Sequence, residues 1–206
     1  LGVYSYSQAL ANYFYLFAML GVNNYGNRSI ARVRDNQIEL ARNFWEIFFL
    51  QLLVGSFVSM LYIIYVLLFV EENQLIYILQ FFYVSSGIFD INWACFGLEK
   101  FKLTAIRSLS VRIGMAIAVF LLVKDSGDLW LYTMILSLQY FISAIAVWPF
   151  ILKHISLVKV TWKGIARHIK PNLILFWPVI AVSLYNIMDK LMLGYFSTEE
   201  EVAFYT

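Results

Sequence analysis

Charged side chains are few in this sequence. Asp, Glu, Lys and Arg make up 14% of its 206 residues, whereas about a quarter of the residues in a typical soluble domain are charged. Hydrophobic residues make up 62%, and the mean hydropathy is +0.74. This composition argues against a soluble globular fold. It predicts an all-α, polytopic integral membrane protein, in which most of the chain forms a bundle of transmembrane helices.

Cysteine and histidine are nearly absent. Cys95 is the only cysteine, and His154 and His168 are the only histidines. One cysteine cannot form an intramolecular disulfide, and the sequence contains no cysteine pair for zinc, no His-Glu-x-x-His and no P-loop. The net charge of +2 is too small to indicate a nucleic-acid partner. We therefore expect no catalytic residues, no metal and no cofactor, and we predict that the protein is not an enzyme.

Long apolar runs dominate the sequence instead. A helix needs about 20 mostly apolar residues to cross a bilayer, and we interpret six segments as spans: residues 3–22, 44–70, 75–98, 108–123, 129–152 and 172–194. The first span has no charge but carries several polar side chains, so we expect it to line a cavity. These side chains are Ser7, Gln8, Asn12 and Tyr13.

Lys and Arg are unevenly distributed among the connections of these spans. Three connections are basic, and their cations are Arg28, Arg32, Arg34 and Arg42, then Lys100, Lys102, Arg107 and Arg112, then Lys153, Lys159, Lys163, Arg167 and Lys170. The two turns that alternate with them hold only Lys124. Because cytoplasmic loops retain Lys and Arg, we predict that the basic connections lie on the cytoplasmic side of the inner membrane. Both ends of the chain would then lie on the outer side.

The connection at residues 153–170 has a helical pattern. Four cations recur at helical spacing and four apolar residues recur on another face: Lys159, Lys163, Arg167 and Lys170, and Val158, Trp162, Ile165 and Ile169. This pattern predicts a basic amphipathic helix on the cytoplasmic membrane surface. The alternative is an ordinary basic connector. Pro171 is expected to end the helix and to turn the chain into the sixth span.

One acid interrupts the third span. Between Leu75 and Leu98 only Asp90 is fully charged at neutral pH, and a carboxylate inside a span costs about 2.5 kcal/mol or more. Trp93 follows three residues later, so a continuous helix would place both side chains on one face. We predict that this face lines a cavity in which Asp90 is a counter-ion, a proton site or a cation site. The alternative is a structural acid that is hydrogen-bonded between helices.

Four further charged residues could meet a substrate. Lys190 could hold a diphosphate or an acidic sugar, and the adjacent Asp189 could pair with another helix; both lie near the outer end of the sixth span. Arg112, near the inner end of the fourth span, could hold a substrate phosphate. Arg28 could draw a diphosphate to the cytoplasmic mouth. The alternatives are snorkelling to the interface for Lys190 and Arg112, and a role in topology alone for Arg28.

Several segments of the sequence resemble those of bacterial polysaccharide flippases. They are Leu1-Gly2-Val3-Tyr4-Ser5; Leu20-Gly21-Val22-Asn23-Asn24-Tyr25-Gly26-Asn27-Arg28 with Ala31-Arg32; Asp90-Ile91-Asn92-Trp93 with Gly97-Leu98-Glu99; and Tyr185-Asn186-Ile187-Met188-Asp189-Lys190 with Leu193-Gly194. That family belongs to the MOP superfamily, together with multidrug exporters and the peptidoglycan-precursor flippase. The resemblance implies a two-lobed, pseudo-symmetric transporter of twelve or more helices, of which this chain would be about half.

The resemblance also implies how the chain is divided. Residues 1–152 would form five helices of the N-terminal lobe, residues 153–170 a cytoplasmic linker helix, and residues 171–206 the first helix of the C-terminal lobe with an outer tail. The chain begins with Leu1 rather than Met and has no signal peptide. We therefore expect an internal fragment in which the first helix of the lobe is missing.

The function that the resemblance implies is the flipping of undecaprenyl-diphosphate-linked oligosaccharide repeat units, by alternating access, for O-antigen, capsule or another surface polysaccharide. The partners would be the lipid bilayer, the lipid-linked glycan and a coupling ion. A multidrug or small-cation exporter of the same superfamily is one alternative and would favour an acid-lined cavity. A membrane glycosyltransferase or polymerase is another. It would need a large outer loop, whereas the outer turns here have four or five residues.

Overall fold

The computed structural model describes the backbone of residues 2–196 and the side chains of residues 2–183 apart from Ser126. Every regular element in this part of the chain is a helix. In chain order they are α1 (Gly2–Met19), α2 (Val22–Val33), α3 (Gln37–Phe69), α4 (Gln74–Leu79), α5 (Phe81–Phe89), α6 (Asn92–Gly97), α7 (Phe101–Leu122), a 3-10 turn (Ser126–Asp128), α8 (Leu129–Ile145), α9 (Trp148–His154) and α10 (Trp162–Phe196). The prediction of an all-α bundle is confirmed.

The longest apolar helix, α3, organises the bundle. Asn36 caps its start, because its side-chain oxygen accepts hydrogen bonds from the backbone N–H groups of Ile38 and Glu39. With 33 residues and a rise of about 1.5 Å per residue, α3 is roughly 50 Å long. A bilayer core is about 30 Å thick, so α3 both spans the membrane and extends beyond it.

The following helices run back and forth along α3. Near the far end of α3 the hydroxyl of Tyr62 donates to the backbone oxygen of Tyr77 at 2.6 Å. Nearer its start, the side chain of Gln51 bonds the backbone oxygen of Asp90 at 2.9 Å. Helices α4 to α6 therefore return antiparallel to α3. Helix α8 packs against α5 in turn, and the hydroxyl of Ser137 donates to the side chain of the buried Gln80.

Three contacts bring the basic connections together at one end of the bundle. Arg34, which follows α2, forms an ion pair with Glu99 between α6 and α7. The indole of Trp45, near the start of α3, donates to the backbone oxygen of Ser156 at 3.0 Å. Arg167 in α10 reaches the carboxylate of Glu46 at 2.6 Å. The uneven distribution of Lys and Arg in the sequence thus corresponds to one strongly basic end of the molecule.

Four segments of the described chain are long and apolar enough to cross a membrane. They are Gln37–Phe69, Gln74–Gly97, Phe101–Leu122 and Leu129–His154. Helix α7 carries a continuous set of exposed apolar side chains, among them Ile106, Leu109, Ile113, Ile117 and Phe120, as expected of a lipid-facing surface. The chain is thus a multi-pass membrane protein. Of the six predicted spans, those at α1 and α10 are not confirmed by this criterion.

The third predicted span is not one continuous helix. It is divided into α4, α5 and α6, with breaks at Gln80 and at Asp90–Ile91. The backbone of Asp90 is extended, with φ −73° and ψ 99°. The prediction that Asp90 and Trp93 share a helix face is therefore wrong, because the helix ends before Asp90 and a new one begins after it.

The predicted amphipathic helix at residues 153–170 also has different bounds. Helix α9 ends at His154, residues 155–161 are not helical, and α10 begins at Trp162. Four of those seven residues are β-branched (Ile155, Val158, Val160 and Thr161), which disfavours a helix. Pro171 does not end α10, which continues to Phe196. Apolar packing on both sides of the proline offsets the lost backbone hydrogen bond, since Ile165 and Phe176 of α10 are both buried.

Candidate functional site

The break in the third span is built around the carboxylate of Asp90. Its Oδ1 accepts hydrogen bonds from the backbone N–H of Asn92 at 3.0 Å and from the Asn92 side-chain amide at 2.7 Å. This local pattern turns the chain into α6, as Asp side chains commonly do. The other carboxylate oxygen, Oδ2, accepts from the hydroxyl of Tyr15 in α1 at 3.0 Å. Asp90 therefore connects α1 to the interrupted span.

Arg107 of α7 completes this polar network. One of its terminal nitrogens donates to Oδ1 of Asn92 at 2.9 Å, and the other donates to the backbone oxygen of Ser143 in α8. The negative charge of Asp90 and the positive charge of Arg107 are thus joined through the neutral amide of Asn92. We call Tyr15, Asp90, Asn92 and Arg107 the break network; it links α1, the broken span, α7 and α8.

Side chains from neighbouring helices satisfy the backbone at the break. Gln51 of α3 donates to the backbone oxygens of Gly87 at 2.6 Å and Asp90 at 2.9 Å. The indole of Trp148 donates to the backbone oxygen of Phe89 at 3.0 Å. Unsatisfied backbone groups within a membrane cost several kcal/mol each. These donors therefore allow a non-helical segment to exist at this depth.

Trp93 supports the break from inside the core rather than from a cavity wall. Its side chain is fully buried, and its indole N–H donates to Oε1 of Gln51 at 2.9 Å. One face of the ring packs against Gly26 of α2, where a Cβ atom would lie 2.5 Å from a ring carbon. Trp93 therefore fixes the position of Gln51, which in turn holds the backbone at Asp90.

Arg28 and Arg112, two of the other predicted site residues, form no hydrogen bond in the break network. Arg28 and Arg112 are both exposed, and neither forms an ion pair with another described residue. Asp189 and Lys190 lie in α10, but their side chains are outside the described residues. The substrate-binding roles of all four residues remain predictions.

The polar side chains of α1 are partly used within the protein. Ser7 is fully buried and accepts a hydrogen bond from Gln80, and Asn12 accepts from the hydroxyl of Tyr83 at 2.6 Å. Gln8 and Tyr13 are half-buried. Ser7 and Asn12 therefore join α1 to the interrupted span, and the proposed cavity wall on α1 remains a prediction.

A second polar cluster lies at the basic end. Glu46 of α3 is 4% exposed, and His168 of α10 is 3% exposed. His168 Nε2 lies 3.0 Å from the Glu46 carboxylate, and its Nδ1 lies 2.6 Å from the hydroxyl of Tyr25 in α2. A neutral imidazole satisfies both contacts if Nε2–H donates to Glu46 and Nδ1 accepts from Tyr25. Glu46 also pairs with Arg167.

Burial determines the charge state of His168, which precedes the sixth predicted span. Burial lowers the pKa of the imidazole below the ordinary value of 6.5. The positive charge of Arg167 also lowers this pKa, whereas the contact with Glu46 raises it. His168 is therefore neutral at neutral pH. The cluster joins α2, α3 and α10 without adding a buried positive charge.

Several of these residues were not predicted as site residues. The sequence indicates Arg107 only as a cation of a basic connection, and Glu46 lies within the second predicted span without a predicted role. Gln51 is one of few polar side chains in residues 47–70, and this isolation is the signal that could have indicated its role. The described residues contain no group of three or more His, Cys, Asp or Glu side chains that could hold a metal ion.

Comparisons with known proteins identify the family. The model of the family described as "Polysaccharide biosynthesis protein" matches residues 1–206. A relative from Escherichia coli (strain K12), named "Putative O-antigen transporter", is 24% identical over 201 residues, which are 95% of this chain and 48% of the relative. The chain thus spans about half the length of that relative. No solved structure matches this chain. These matches confirm the resemblance seen in the sequence: the chain belongs to the polysaccharide biosynthesis protein family.

Proposed function

We propose that this chain is part of a flippase that moves undecaprenyl-diphosphate-linked oligosaccharide repeat units across the cytoplasmic membrane by alternating access. The family match over the whole chain supports this proposal, as does the relative that is named as an O-antigen transporter. The observation that carries it is the interrupted third span with a charged hydrogen-bond network at the break. Transporters commonly use broken helices where a polar site must exist at membrane depth.

The physical task fits this arrangement. A flippase must carry a hydrophilic glycan and a diphosphate across hydrocarbon while the lipid tail stays in the bilayer. Helices that move during such a cycle need polar contacts that can be exchanged between states. The break network joins α1, the broken span and α7 through hydrogen bonds at 2.7–3.0 Å, and Arg107 also donates to the backbone oxygen of Ser143 in α8. We infer that it positions α7 and α8 against the broken span in one state of the cycle.

The test compares two cations of α7 in a host that lacks its own flippase. Arg107→Gln removes the charged donor to Asn92, whereas Lys102→Gln removes an exposed charge that is outside the break network. Losing a hydrogen bond to a charged group costs about 1.5 kcal/mol or more, so we expect export of repeat units to fall roughly tenfold with Arg107→Gln. Export should stay near the wild-type level with Lys102→Gln, and Arg107→Lys should retain part of it.

The abundance of each variant in the membrane is measured alongside export. Loss of export at normal abundance supports a transport role for the break network. Equal export by the two glutamine variants would contradict that role. The flippase proposal itself would be contradicted if the wild-type protein restored export in none of the hosts tested, each of which supplies a different lipid-linked repeat unit.

A further inference from the structure

A pocket of about 440 Å³ opens at the basic end of the bundle. Three separate segments form it: the first turns of α3, the non-helical residues 155–161, and the start of α10. We call it the linker pocket, and the residues that line it are Arg42, Glu46, Lys159, Thr161, Lys163, Gly164 and Arg167. It is distinct from the break network, which shares no residue with it.

The walls of the linker pocket are held in place by buried contacts. Glu46 fits closely against Gly164, where a Cβ atom would overlap its Oε1, so a larger residue there would displace the Glu46 carboxylate. The indole of Trp45 fixes the non-helical segment through the backbone oxygen of Ser156. Arg167 bridges to Glu46 on the pocket floor at 2.6 Å. The pocket is thus formed by packing between segments rather than by surface side chains alone.

The charge of the linker pocket is strongly positive. Four of its seven lining residues are Lys or Arg, and one is an acid. That acid, Glu46, already pairs with Arg167 and bonds His168 through its Oε2. The other three cations, Arg42, Lys159 and Lys163, form no ion pair with any described residue. An anion in the pocket would therefore meet three cations that have no other charged partner there.

Exposed apolar side chains flank the lining residues in the sequence, and this apolar rim indicates where the anion comes from. Trp162, next to Lys163, is 72% exposed, and Leu157, two residues before Lys159, is 78% exposed. Ile38, one turn before Arg42 on α3, is 72% exposed. Tryptophan and aliphatic side chains beside cations are typical of the boundary between headgroups and acyl chains. A lipid could place its phosphate in the pocket and its acyl chains along this rim.

We propose that the linker pocket binds the phosphate headgroup of an anionic phospholipid in the leaflet that faces the basic end. A bound lipid would tie residues 155–161 to both α3 and α10, because the cations come from all three segments. Other ligand classes fit less well. The net positive charge repels a metal cation, and the lining residues include no aromatic side chain on which a nucleotide base could stack. The inference does not depend on which substrate is transported.

The test measures binding of a fluorescent phosphatidylglycerol to the full-length protein in detergent. The variant carries Lys159→Gln and Lys163→Gln. The matched control carries Lys153→Gln and Lys170→Gln, which removes two exposed cations of the same region that do not line the pocket. Each basic residue near an anionic headgroup contributes about fivefold to affinity. We expect the pocket variant to bind about 30-fold more weakly than wild type, and the control variant to bind almost normally.

Further arms separate the possible sources of the phosphate. Phosphatidylcholine should not compete with the fluorescent lipid. Added salt should weaken the binding of the fluorescent phosphatidylglycerol to wild type more than its binding to the pocket variant. Unchanged thermal unfolding of the pocket variant shows that its fold is intact. Equal affinity of the two double variants would overturn the proposal. So would displacement by inorganic pyrophosphate or undecaprenyl diphosphate at lower concentrations than by phosphatidylglycerol, because the pocket would then be a substrate site.

Discussion

Arg107 and Arg112 lie in the same helix but differ in the groups around them. Arg107 is half-buried and its guanidinium bonds Asn92, Ser108 and the backbone of Ser143, whereas Arg112 is exposed. The sequence leaves two interpretations of Arg112 open, snorkelling to the interface and binding of a substrate phosphate. The contacts favour Arg107 as the functional arginine, since it is the one that connects helices through a polar network.

At the same scale, the stability of the protein should depend on the charge of His168. The folded-state pKa of His168 lies below 6.5 because the imidazole is buried, so the unfolded state binds the proton more readily. The contribution of the neutral imidazole to the free energy of unfolding is therefore fully present above about pH 6.5. It is lost as the pH falls toward the pKa of His168 in the folded state. We expect the midpoint of thermal unfolding to fall more steeply with acid in wild type than in His168→Gln.

The matched control for this experiment is His154→Gln, because His154 is exposed and forms no ion pair with any described residue. Its unfolding midpoint should follow the wild-type pH dependence. The same pH dependence in His168→Gln and wild type would contradict the buried neutral imidazole and its bonds to Glu46 and Tyr25.

The sequence indicated Asp90 correctly as an unusual residue, but it could not indicate its partners. A lone acid in an apolar run is visible from composition alone. Its hydrogen bond to Tyr15 joins residues 75 positions apart, and that contact follows from helix packing rather than from any local pattern. The same reason explains why Glu46 was missed, since its partner His168 is 122 residues away.

At the scale of elements, the contact between α2 and α6 depends on Gly26. A Cβ atom at this position would lie 2.5 and 2.7 Å from carbons of the Trp93 ring, which is fully buried. Overpacking a core of this kind costs about 1–3 kcal/mol. We therefore expect Gly26→Ala to lower the midpoint of thermal unfolding of the purified protein, and to loosen the support that Trp93 gives to Gln51.

Gly114 provides a control for that substitution. It lies in the exposed part of α7, and no atom lies within 4 Å of the position that a Cβ would occupy. Alanine is a better helix former than glycine by about 1 kcal/mol, so Gly114→Ala should not destabilise the protein. Equal unfolding midpoints for the two alanine variants would contradict the tight packing between α2 and α6.

Apolar runs predicted most of the helices but not where one of them breaks. The run at residues 75–98 is long enough for a continuous span, and its sequence has no proline. The break at Asp90–Ile91 is stabilised by Gln51 and Trp148, which come from other helices. Tertiary contacts also override the local effect of Pro171, within the unbroken helix α10. Helix propensity acts locally, so neither outcome could be predicted from it.

At the scale of the whole molecule, the basic end should face the cytoplasm. Cytoplasmic connections retain Lys and Arg, and the three basic connections meet at one end of the bundle. A cysteine placed at Lys163 should therefore react with a membrane-impermeant maleimide only after intact cells are opened. A cysteine at Ser126 should react from outside. Cys95 is fully buried, so the native thiol should contribute little labelling. Labelling of both positions from one side would contradict this topology.

The polar sites of the molecule are arranged along its length. The linker pocket and the Glu46–His168 cluster lie at the basic end, and the break network lies deeper in the bundle, where α1 and α7 meet the break between α5 and α6. The chain spans 48% of its relative from Escherichia coli.

Flipping by the purified full-length protein in sealed proteoliposomes is the most direct test of the proposed function. An undecaprenyl-diphosphate-linked glycan is loaded in the inner leaflet, and its appearance outside is followed with an impermeant lectin. We predict that wild type exposes the glycan, that empty vesicles do not, and that Asp90→Asn does so far more slowly, because it removes the negative charge from the break network. The flippase proposal would be contradicted if the glycan stayed in its original leaflet while the folded wild-type protein transported a small organic cation.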